Sequence, residues 1–262
     1  MNNSTSTQSN DQYSLAKILA IWVAAAVPMP ILSFVIGPAL AARVDLHPGI
    51  VRWCAIIVGL IWLFVLAMIV QYRELGTLRW SLIRKRMWYQ TPIDPKTGEP
   101  NARLLWWALP AVFLNGLVAL SPIDPLLTKF FFSVFPFLEP IFGGGRETLG
   151  SPEFVGQWWL LGVLLTSMLF NYFIGEEWLF RGTLLPKMNG VFGRWDWLAN
   201  VVLFATWHWH QPWDWLPIIA SFLFAGWASR RFKSNWIFFI AHGGDGVFTL
   251  LLVLAVITGL AF

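Results

Sequence analysis

WCAIIVGLIWLFVLAMIV, residues 53 to 70, is an eighteen-residue run without Asp, Glu, Lys or Arg. A helix rising 1.5 Å per residue needs about 20 predominantly apolar residues to cross a ~30 Å hydrocarbon core. One such run could be a buried helix; their recurrence decides the fold. Working outward, uncharged apolar runs return at Ile18–Ala42, Leu104–Pro122, Val155–Gly175, Trp197–Trp213, Trp215–Ser229 and Ser234–Gly244. After the last, Asp245 is the only charge before the C-terminus. The chain is 57% hydrophobic and 12% charged, about half the charged share of soluble domains. Membrane barrels alternate polar and apolar residues, whereas these runs are continuous. The expected class is all-α: a polytopic transmembrane helical bundle of about seven spans, integral to the membrane.

Between the runs the chain is punctuated. Residues 1–14, MNNSTSTQSNDQYS, are polar, lack the basic start of a secretory signal, and are expected to form a disordered tail. Residues 15–150 supply the first spans and 151–262 the remainder. Pro28 and Pro30 predict a kink in the first span. Around 126–142, Lys129, Pro136 and Glu139 suit a short re-entrant or interfacial helix. The 18 Trp are in part an interfacial belt. Cys54, alone, forms no internal disulfide.

Charge sets the orientation. The loop 71–103 holds seven basic residues against three acids, and Lys187, Arg194, Arg230, Arg231 and Lys233 mark two further turns. With Lys17, thirteen of the eighteen basic residues fall on one side if the first span starts in the cytoplasm, which is the positive-inside bias. No soluble face interleaves basic and aromatic residues, so nucleic acid is not an expected partner.

Three short stretches place ionisable groups inside apolar runs, where charge is costly and points to function. FNYFIGEEWLFRG, 170–182, puts Glu177 and Arg181 four apart on one helical face, able to pair, and leaves Glu176 pointing about 100° away. A desolvated, positioned glutamate suits a general base for water; a charge cluster snorkelling to the basic turn is the competing reading. LFATWHWHQP, 203–212, sets Phe204 and His208 on one face, with His210 almost opposite and interfacial. IAHGGDGVF, 240–248, sets His242 and Asp245 three apart. Helix rise puts Glu176 and His208 at similar depth if their helices are antiparallel neighbours, with His242 offset by about 10 Å unless a helix tilts or breaks. HExxH and GxSxG are absent, and HGGD lacks both the first Gly of GxGD and a second intramembrane Asp. Glu-activated water attacking a peptide bond fits these residues. A proton-coupled transporter would also use them, but no inverted repeat is visible.

EEWLFRG followed by LLP, then LFATWH, then GWASRRFKSNWIFFIAHGGDG, resembles the CPBP family over about residues 155–255. That family takes in the type II CAAX prenyl endopeptidases and the bacterial Abi proteins, some linked to bacteriocin immunity. The resemblance implies a catalytic region at 151–262 with Glu176 as general base. His208 and His242 would orient water or stabilise the oxyanion, Glu177–Arg181 would be a structural pair, and Phe204 and Asp245 would support them. It implies a membrane-associated protein or peptide as substrate, CAAX-like in the eukaryotic members, and a prokaryotic plasma membrane as location. Glu176, His208 and His242 could make a three-ligand zinc site or work without metal; both stay open. The family pattern has Asn or Asp four residues after the third histidine, where this chain has Gly246. A catalytically silent member acting in immunity or regulation is the alternative.

Overall fold

The computed structural model describes residues 11–138 and 151–260. Among them every regular element is helical, apart from an isolated bridge between Ile93 and Pro100. In chain order the main helices are α1 (Leu15–Ala41), α2 (Pro48–Leu75), α3 (Trp80–Arg86), α4 (Ala102–Ala119), α5 (Ile123–Val134), α6 (Trp159–Lys187), α7 (Asp196–Trp207), α8 (Trp215–Phe232) and α9 (Trp236–Ile257).

The protein is an integral membrane protein, and five of these helices (α1, α2, α4, α6 and α9) are long and apolar enough to cross a bilayer. The other two expected spans become α7 and α8, packed on one another and joined by the turn 208–214. With twelve residues, α7 rises only about 18 Å. The short helix expected at 126–142 is α5, twelve residues beginning at Ile123; positions 139–142 lie outside the described residues. Of the expected disordered tail, residues 1–10 also lie outside them, but its last residues are fixed to the end of α6 and the residues just after it. Tyr13 N–H donates to the Lys187 carbonyl (2.9 Å), Gln12 Oε1 accepts from Gly190 N–H (3.2 Å), and Asp11 pairs with Lys187.

Proline shapes α1. Pro28, Pro30 and Pro38 interrupt its α-ladder, and a π segment, Leu32–Ile36, takes up the irregularity, so the kink lies where the sequence puts it. In α2, His47 Nδ1 accepts from Gly49 N–H (3.1 Å) ahead of Pro48. The helix ends at Gly76, whose φ of +65° favours glycine.

The basic segments gather at one end of the bundle. Glu74 accepts from Lys17 (3.0 Å) and Arg86 (2.9 Å), and Arg86 reaches the Gly182 and Thr183 carbonyls (3.1 Å each). Ile93 N–H donates to the Phe232 carbonyl (2.8 Å). The core between these helices is dominated by Ile18, Met29, Leu63, Phe180, Phe204, Trp207 and Phe238, all fully buried. Indole N–H groups staple it: Trp207 donates to the Ala25 carbonyl (3.0 Å) and Trp22 to that of Leu203 (2.7 Å). Each bond satisfies a donor that would otherwise be costly to bury.

Candidate active site

The three polar stretches meet. Glu176 on α6 is 1% exposed and faces two imidazoles. Its Oε1 is 3.7 Å from His208 Nε2, and its Oε2 is 3.8 Å from His242 Nε2. These separations exceed a direct hydrogen bond and suit groups bridged by one small atom, such as a water oxygen.

Both rings are oriented from behind. His208 Nδ1 lies 3.0 Å from the Phe204 carbonyl, which can only accept. The proton therefore sits on Nδ1, and in the neutral ring the Nε2 lone pair faces Glu176. His242 Nδ1 lies 2.8 Å from Glu177 Oε1, giving the same tautomer. Phe204 stands edge-on between the rings, 5.1 Å from His208 and 5.8 Å from His242 by centroid, and fixes their spacing.

The expected Glu177–Arg181 ion pair is replaced by other partners. Glu177 serves His242. Arg181 NH1 donates to Asn200 Oδ1 (2.5 Å), and its guanidinium lies over Phe238 (3.7 Å) and Phe204 (4.4 Å). Asn200 in turn donates to the Phe180 carbonyl (2.8 Å) and clamps α6 to α7. Arg181 still supplies positive charge beside the two carboxylates, as a buried cation over aromatic faces. The two adjacent carboxylates thus address one imidazole from two sides, Glu176 toward Nε2 and Glu177 at Nδ1.

The backbone that makes this possible is irregular. Two π segments, Leu169–Ile174 and Glu177–Leu184, flank Gly175, and Gly175 N–H closes an i−5 bond to the Phe170 carbonyl (2.9 Å). A Cβ on Gly175 would sit 2.2 Å from that oxygen and 2.8 Å from the Leu60 carbonyl of α2. Only glycine permits this approach of the segment to α2. The break also brings Glu176 and His242 to one depth despite the offset that unbroken helices would give.

π geometry further explains a residue the motif reading missed. Asn171 precedes Glu176 by five positions; on an α-helix that is about 140° away, but in π turns i and i+5 come together. The Asn171 amide nitrogen donates to both Glu176 oxygens (2.9 and 3.1 Å) and holds the carboxylate plane. His210, expected at the interface, is buried and lines the same cavity as Glu176 and His208. This cavity, about 260 Å³, is also walled by Arg52, Trp53, Ile56 and Leu60 of α2.

Asp245 lies elsewhere. Its Oδ1 accepts from Asn115 Nδ2 of α4 (2.8 Å), and it does not line the cavity. At Gly246, where the family pattern has Asn or Asp, a Cβ would meet the Tyr172 ring at 2.8 Å. Tyr172 occupies that space, stands edge-on to His242 (5.0 Å), and shares a hydrogen bond with Thr249 (3.2 Å). Among the described residues no three His, Cys, Asp or Glu side chains are grouped to hold a metal ion.

No curated protein and no solved structure matches the chain. The model of one family does: type II CAAX prenyl endopeptidase Rce1-like, over residues 156–248. That stretch, about a third of the chain, contains Glu176, His208 and His242, and over it the chain is similar to the CAAX-protease family.

Proposed function

We propose that the protein is a membrane-embedded endopeptidase that hydrolyses a peptide bond of a membrane-associated protein or peptide with a Glu176-activated water. The observation that carries this reading is the convergence of one carboxylate and two imidazole Nε2 atoms at 3.7 and 3.8 Å. A water between them donates one O–H to Glu176 and the other to a histidine Nε2, leaving an oxygen lone pair for the carbonyl carbon. Glu176 takes the proton as the C–O bond forms. The protonated site then returns it to the leaving amine as the C–N bond breaks, and Glu177 offsets positive charge developing on the His242 ring. Asn171 keeps Glu176 in position throughout. A CAAX-like C-terminal segment is the substrate class that the resemblance suggests. The N-terminus is cytoplasmic on this reading, since the basic segments gather at its end of the bundle; a prokaryotic plasma membrane follows from the Abi resemblance.

The test is cleavage of a quenched, lipid-anchored peptide by the full chain in proteoliposomes. Glu176→Gln is expected to abolish turnover without altering thermal unfolding; unchanged turnover would remove the mechanism.

One observation favours a second reading, a non-hydrolytic family member serving immunity or regulation: Tyr172 fills the place of the polar side chain expected four residues after His242. Under that reading wild type and Glu176→Gln protect or regulate equally, and no cleavage is seen.

A further inference from the structure

A second cavity, about 480 Å³, lies at the basic end and shares no residue with the one around Glu176. Its walls come from three separate places. One is the turn after α3 with Ile93, Asp94, Pro95 and Gly98; another is the start of α7 with Arg194 and Trp197; the third is the end of α8 with Trp227, Arg230, Arg231 and Lys233. Backbone bonds fix the turn: Asp94 N–H to the Glu99 carbonyl (2.9 Å), Gly98 N–H to that of Asp94 (2.8 Å), and Ile93 N–H to that of Phe232 (2.8 Å). Ser234 Oγ donates to the Gln90 carbonyl (2.7 Å) and ties the α8–α9 connection to the same loop.

Four cations and one carboxylate line this space. Arg230 is committed to the buried Asp196, Nε to Oδ2 at 2.5 Å. Asp94 accepts from the Lys96 N–H (2.8 Å) within its own turn. Arg194 lies over the Trp195 ring (5.1 Å). Among the described residues no carboxylate is ion-paired with Arg194, Arg231 or Lys233, and all three are exposed. The cavity therefore presents surplus positive charge on a fixed frame, with two indoles beside it.

We propose that this cavity binds the phosphate head group of an anionic lipid. Guanidinium groups are matched to phosphate oxygens. Trp197 and Trp227 sit where apolar helices give way to basic turns, the level that indoles occupy at a membrane interface. Basic pockets between transmembrane helices at that level take anionic head groups. A bound lipid would staple the loop of the N-terminal half to the α7–α8 pair of the matched region.

The inference is independent of hydrolysis, and so is its test. The full chain is purified in mild detergent and offered equal phosphatidylglycerol and phosphatidylcholine, with retained lipid counted by native mass spectrometry. Wild type is expected to retain phosphatidylglycerol selectively. At about tenfold or less per arginine, Arg194→Ala with Arg231→Ala should weaken retention roughly thirtyfold, while Arg231→Lys should keep most of it. The lipid-free unfolding temperature of each variant checks that the fold survives. Equal retention of both lipids, or undiminished retention by the double variant in its folded form, overturns the proposal. If inorganic phosphate raises the unfolding temperature as much as phosphatidylglycerol does, the ligand is a free phosphate and the lipid assignment fails.

Discussion

Residues 156–248 and the first hundred or so residues contribute to the same cavity in different currencies. The matched region supplies the proposed reacting groups: Glu176 and His208 on the cavity wall, and His242, whose Nε2 is 3.8 Å from Glu176 Oε2, with their orienting partners. From the N-terminal half come α2, whose Arg52, Trp53, Ile56 and Leu60 form the opposite wall, and the Leu60 carbonyl against which Gly175 is pressed. Chemistry is written in side chains at fixed spacing and so shows as a motif. A wall is written in close packing, which many sequences achieve and no short pattern marks.

Substitutions on either side test that contrast. The largest effect is expected at the proposed general base: Glu176→Gln should cost about 10²–10⁴-fold in kcat, read as peptide cleavage in proteoliposomes. A comparable rate would move the chemistry away from this carboxylate. Next comes the contact between the halves. Gly175→Ala forces a Cβ onto two carbonyl oxygens and should lower stability by about 3 kcal/mol, read as thermal unfolding in detergent; an unchanged midpoint would show that α2 gives way freely. Asn171→Leu removes a hydrogen bond to a charged group, worth about 1.5–3 kcal/mol. It should lower kcat by about tenfold or more with little change in KM; an effect confined to KM would make Asn171 a substrate contact instead. The smallest effect belongs to the wall. Ile56→Trp, filling the cavity from α2, should raise KM several-fold while leaving kcat nearly intact, since no reacting group is touched. A collapse of kcat there would mean that the wall is part of the machinery.

Much of this is legible in the sequence alone. Apolar runs locate all five membrane-length helices, prolines mark the α1 kink, and the three polar stretches contain the residues that converge. Part of what escapes comes from α-helical geometry applied to a segment that is not α-helical, and the rest from contacts between residues distant in sequence. Asn171 was hidden because five residues are most of a half-turn apart in one ladder and adjacent in the other. Arg181 left Glu177 because Asn200 and two phenyl faces, distant in sequence, offered better company. Counting charges along the run Trp197–Trp213 suggested a full span, yet the helix ends at Trp207, and His208 belongs to the turn that follows.

That early ending has a consequence for supply. A hydrolase in hydrocarbon must obtain a water for every bond it cuts, and a full span would bury its site under half a bilayer on either side. Starting at the basic end, α7 climbs about 18 Å of a ~30 Å core and stops. That rise is about 12 Å short of a full crossing, and His208 and the turn beyond it follow in a segment bordered by Gln211 and the Arg52 guanidinium. On the proposed hydrolytic reading, the short helix thins the barrier where the second substrate, water itself, has to cross it.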